Sequence, residues 1–146
     1  MERTPVLWLG APAGLVLAWA ATSLPWATFA ASGYDGTIAV RGGRIGAALA
    51  VTGVGAAVAA IAGWVTGRTR LAGTVLLVLG IVAVVGSGAL TLHTIYLANG
   101  IRLPSHAPAS GGGWTTTSHG IGVVVGGAAS LVVLVVGAVV RAGTRD

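Results

Sequence analysis

Residues 45–97 read IGAALAVTGVGAAVAAIAGWVT, then GRTR, then LAGTVLLVLGIVAVVGSGALTLHTIYL, and this pair of apolar runs decides the fold. Neither run contains Asp, Glu, Lys or Arg. Each exceeds the about 20 residues that a helix needs to cross about 30 Å of hydrocarbon. Neither alternates with a period of two, as a strand of a membrane barrel would. Only Gly67-Arg68-Thr69-Arg70 separates them, so they predict an antiparallel hairpin of two membrane helices.

Working outward, two further uncharged windows have the same character, at about residues 5–24 and 120–140. Pro5 suits a first helical turn, where its missing N–H costs nothing. Pro12 is interior and predicts a kink, and Pro25 stops the helix. The N-terminal window resembles a secretory leader in having Arg3 before it and a small-residue run, Thr28 to Ser32, after it. Its apolar stretch is longer than the about 7–15 residues of a leader core, so a span is expected. The expectation is one domain: an all-α membrane protein, a four-helix transmembrane bundle with spans at about 5–24, 45–66, 71–97 and 120–140.

Composition agrees. Only 8% of the 146 residues are charged, whereas a soluble domain carries about 25%. Ala, Val, Leu and Gly dominate, as in helices that associate through close backbone approach. The net charge of +5 does not point to nucleic acid, because the Arg residues stand singly or in pairs at span ends. That placement suits membrane topology and anionic headgroups. All eight basic residues are Arg, a bias expected of a GC-rich bacterial genome. Cys is absent, which excludes disulfides, thiolate metal sites and Cys nucleophiles.

Arg counting sets the expected orientation. Arg3, Arg68, Arg70, Arg141 and Arg145 fall on the side of the termini, against Arg41, Arg44 and Arg102 on the other. The positive-inside rule then places both termini in the cytoplasm of a bacterial cell, the chain sitting in the plasma (inner) membrane. Both longer connections, about 25–44 and 98–119, would face outward. In the first, runs at 27–31 and 37–40 flank Ser32-Gly33-Tyr34-Asp35-Gly36, which predicts a small β-hairpin. In the second, Gly100, Pro104, Pro108 and Gly111-Gly112-Gly113 read as irregular, and Trp114 to Thr117 offers a strand to add to that hairpin.

Small residues four apart recur: Gly10 with Gly14, Gly63 with Gly67, Gly126 with Ser130. They are densest in the second window, which is therefore expected to sit centrally, with Leu and Val of the third and fourth turned to lipid. On that reading Gly53→Leu or Ala57→Leu disrupts packing more than Val133→Leu. Trp8 and Trp64 are read as aromatic anchors at the inner boundary, and Trp26, Phe29, Tyr34 and Tyr96 at the outer one. Trp19 falls within the first span.

Residues that could carry chemistry are few. No span holds a charge, which argues against an intramembrane carboxylate relay or a voltage sensor. Ser87, Thr91, His93 and Thr94 share part of the third window and form a candidate polar seam toward the second. Ser and Thr in such helices commonly bond the carbonyl of the preceding turn instead. His93, His106 and His119 all fall at the outer side, but their spacing matches no zinc signature. No nucleophile elbow, phosphate loop or paired carboxylates occur. The expectation is no catalytic, cofactor-binding or metal site, and no cofactor.

Leu24-Pro25-Trp26 closes the first span, and a short β-like stretch, a Gly/Ala-rich span and an Arg-bearing turn follow it. Over about the first two-thirds of the chain this resembles the actinobacterial tryptophan-associated transmembrane protein family. The resemblance implies about four spans and a membrane protein linked to amino-acid metabolism, with no catalytic residues to carry over. The layout is also similar to the claudin-like architecture, whose paired first-loop Cys are missing here. The functional expectation is an accessory or assembly subunit of a larger membrane complex, its partners the lipid bilayer and a second protein or further copies of itself. The alternative is a small oligomeric transporter or channel that uses the polar seam.

Overall fold

A computed structural model of the chain describes residues 4–31, 37–100 and 115–143. The described elements run α1 (Thr4–Ser23), β1 (Ala27–Ala31), β2 (Thr37–Val40), α2 (Gly43–Thr66), α3 (Thr69–Gly100), β3 (Thr115–His119) and α4 (Ile121–Ala142). All four helices are long and apolar enough to span a bilayer. The chain is a multi-pass, four-helix transmembrane bundle with a small sheet at one end.

Local chemistry explains the boundaries. Pro25 has no N–H to extend α1, whose last turn closes with Leu24 N donating to Ala20 O. Gly67 ends α2 in the left-handed conformation at φ 69°, which a residue with a Cβ adopts at a cost, and α3 begins two residues later. At about 1.5 Å per residue, the 32 residues of α3 extend well past the hydrocarbon and beside the sheet. The sheet order is β2-β1-β3, antiparallel throughout, with Ala27 opposite both Val40 and His119. The hairpin stands where the sequence placed it and the added strand is present. His119 ends β3, and α4 begins at Ile121.

Packing corrects one expectation. α1 packs on α2 and α4, and α3 packs on the same two, while α1 and α3 scarcely touch. The bundle is four-sided and α2 is not central. Its small residues mark how closely it approaches its neighbours, not how many it has. Gly53 backs onto α1, where a Cβ would stand 2.5 Å from Gly14 O, while Ala47, Ala48 and Ala62 are exposed. The lipid-facing Leu and Val belong to every helix, including Val51, Val58 and Val65 of α2.

Two core clusters fill the interior. One, toward the termini, gathers Leu7, Ala60, Leu76, Val133 and Val136. The other, toward the sheet, gathers Leu17, Leu49, Leu90, Ala129 and Trp26. Val133 is fully buried, so it is not the lipid-facing control that the sequence suggested; Val135, at 56% exposure, is.

Candidate functional site

The sheet end is the most constructed part of the molecule, and Trp26 organises it. The residue follows Pro25, whose halt of α1 frees the next backbone to enter the sheet. Trp26 N donates to Val40 O at 2.9 Å, and Gly120 N donates to Trp26 O at 2.9 Å. Gly122 N, in the first turn of α4, donates to Pro25 O at 2.8 Å. The indole is fully buried, and its Nε1 donates to Ala20 O at 3.0 Å. Its ring lies flush against Gly122 and Gly126 of α4: a Cβ at Gly126 would stand 2.6 Å from Cη2, and one at Gly122 2.9 Å from Cδ1. One side chain therefore ties the end of α1 to α4, while its backbone ties both to β2.

This corrects the reading of Trp26 as an anchor in the headgroup zone. A ring at that depth can turn to lipid or inward, and the two glycines of α4 leave a slot that only the inward ring fills. The spacing Gly122 to Gly126, one helical turn, was the available signal; the sequence pairing of Gly126 with Ser130 missed it. The other aromatics divide. Trp8 and Trp64 are exposed at the opposite end and stack edge to face, with centroids 5.3 Å apart. Trp19 projects outward from α1. Tyr34 and the side chains of Phe29 and Tyr96 lie outside the described residues.

On the far face of the sheet, Thr28 and Ser118 are direct partners across β1 and β3, and their hydroxyls meet at 2.7 Å. Ala39 opposes Thr28 on β2 and is exposed. Among the described residues, neither β2 nor β3 has a further strand on its outer edge. Such an edge offers free backbone donors and acceptors to another chain.

The structure divides the candidate polar seam. Ser87 and Thr94 are buried, Thr91 is half-buried and His93 is exposed. Ser87 points to α4 rather than α2, meeting Ser130 Oγ at 2.9 Å, and Ser130 Oγ donates to Gly126 O at 2.8 Å. With that proton committed, Ser87 supplies the hydrogen between the two. Thr91 donates to Ser87 O at 2.8 Å and Thr94 to Leu90 O at 2.9 Å. Among the described residues no buried side-chain polar atom lacks a partner.

Breaking the α3–α4 hydroxyl pair should cost little. A double-mutant cycle with Ser87→Ala and Ser130→Ala is expected to give a coupling of about 0.6 kcal/mol in detergent unfolding. A coupling above about 2 kcal/mol would mean that the pair governs the interface.

His93 on α3 and His119 at the end of β3 are both exposed, and His106 lies outside the described residues. Among the described residues, no three metal-capable side chains gather. No protein-family model, curated protein or solved structure matches this chain.

Proposed function

We propose that this polytopic membrane protein is a non-catalytic accessory or assembly subunit of a larger membrane complex, and that the sheet is its contact surface. The observation that carries this is the bracing of the sheet. Trp26 and the α4 glycines hold three short strands against the bundle end, although a small hairpin alone is marginally stable. A braced surface loses little conformational freedom when a partner docks, so more of the contact energy remains as affinity. Two strand edges and an exposed face carrying Thr28, Ala39 and Ser118 give that partner backbone and hydroxyl groups to bond.

The reading of the seam as an oligomeric pore has less behind it, because the buried hydroxyls already bond one another or their own helices. The Arg distribution favours a bacterial plasma membrane with cytoplasmic termini, which turns the sheet outward. The resemblance carried by Leu24-Pro25-Trp26 makes an actinobacterial membrane protein linked to amino-acid metabolism the setting we favour.

The test is purification in mild detergent, followed by native mass spectrometry. The full chain should retain a second protein, or further copies of itself, at constant stoichiometry. Ala39→Lys places a charge on the exposed sheet face without touching the bundle core, and should lower that retention about tenfold or more. A wild-type monomer with no reproducible companion would refute the reading.

A further inference from the structure

At the opposite end of the bundle, two concavities meet at one cation. The first is a groove of about 230 Å³ between α2 and α3, walled by Ala62, Gly63, Ala72 and Val75 and ending at Arg68. The second is a shallow cup around the turn, lined by Arg68, Thr69, Arg70 and Thr74. Arg68 and Leu71 border both, so groove and cup are continuous.

We propose that this surface binds an anionic glycerophospholipid, with an acyl chain along the α2–α3 groove and the phosphate held by Arg68 and Arg70. The groove walls lie within the spans, so hydrocarbon is what they meet, while the turn joining those spans sits at headgroup level. The groove is smaller than the about 300–1,000 Å³ that encloses a whole small molecule, which suits part of a chain lying lengthwise. It persists because Gly63 and Ala72 bring the helix backbones together; a Cβ on Gly63 would run into the Ala72 methyl.

Charge selects the headgroup. Arg68 and Arg70 are exposed, and no Asp or Glu occurs among the described residues. The hydroxyls of Thr66 and Thr74 do not compete for the donor role, since Thr66 Oγ1 donates to Ala62 O at 2.7 Å and Thr74 Oγ1 to Arg70 O at 3.1 Å. The guanidinium groups are left to bind phosphate oxygens, in a geometry that favours paired hydrogen bonds.

Native mass spectrometry of the full chain in detergent, with equimolar phosphatidylglycerol and phosphatidylcholine of identical chains, tests this. At about fivefold per arginine near a headgroup, the first bound lipid should favour phosphatidylglycerol by about 25-fold. Arg68→Gln with Arg70→Gln should bring that preference to within about twofold, whereas Arg41→Gln with Arg44→Gln, at the sheet end, should leave most of it. Ala62→Phe, a change at an exposed position lining the groove, should lower occupancy by both lipids about fivefold while leaving the unfolding temperature unchanged. Soluble glycerol phosphate should not displace the bound lipid. Equal wild-type binding of the two lipids would overturn the proposal. So would equal loss in the two arginine pairs, unchanged occupancy in Ala62→Phe, or displacement by glycerol phosphate.

Discussion

Trp26→Ala should be among the most damaging single substitutions in this chain, lowering stability by about 3 kcal/mol in reversible detergent unfolding. The ring is fully buried, and its removal leaves a void between α1 and α4 and an unused Nε1 partner at Ala20 O. The value lies at the lower end for a large-to-small change for a physical reason. When membrane helices separate, a tryptophan still meets an apolar or interfacial medium, so the transfer component shrinks and the cavity and lost dispersion remain. Trp26→Phe should fall between, losing the donor and part of the volume.

The slot itself can be tested independently. Gly126→Ala should destabilise the wild type by about 1–3 kcal/mol, because the new methyl would overlap the indole edge. In the Trp26→Ala background the same methyl enters vacated space, so its cost should vanish or reverse. Strictly additive effects would show that ring and glycine do not share a contact. The sheet should loosen along with the ring: amide exchange in β1 should accelerate far more than in the middle of α3.

Gly53→Val is the second large effect, expected to cost about 3 kcal/mol or more and to separate α1 from α2. Gly14 and Gly53 face each other so closely that each backbone carbonyl occupies the space of the other's missing Cβ. A Cβ on Gly53 would also stand 3.0 Å from Ala18 N, so the clash falls on backbone that cannot rotate away. Gly88→Ala is the matched control. Nothing lies within 4 Å of its Cβ position, so the change should be neutral or stabilise by about 1 kcal/mol through helix propensity. Similar costs at Gly53 and Gly88 would remove the case for a close α1–α2 contact.

The sheet-end site was only partly visible in the sequence. Leu24-Pro25-Trp26 stood out as the end of a span, and the strands on either side of Ser32 to Gly36 followed from their turn residues. That the tryptophan turns inward was not visible, because rings at that depth ordinarily sit among headgroups. The helix that Ser87 faces was missed for a related reason. Three- and four-residue spacing shows which residues share a face of α3, but not which helix that face meets, and Ser87 meets Ser130 of α4.

Residue identity alone determined that four uncharged runs cross a bilayer, where they start and stop to within a few residues, and that a polar turn joins the middle two. Hydrocarbon offers no partner to a backbone amide, so any run of that length must satisfy its own hydrogen bonds as a helix. Only the tertiary structure decided which helices are neighbours, that none is central, and that Val133 lies inside while Val135 lies outside. Lipid is as apolar as the core, so hydropathy is nearly blind to the difference between a side chain facing one and a side chain facing the other. That choice rests on shape: carbonyl against glycine at Gly14 and Gly53, and indole against glycine at Trp26 and Gly126.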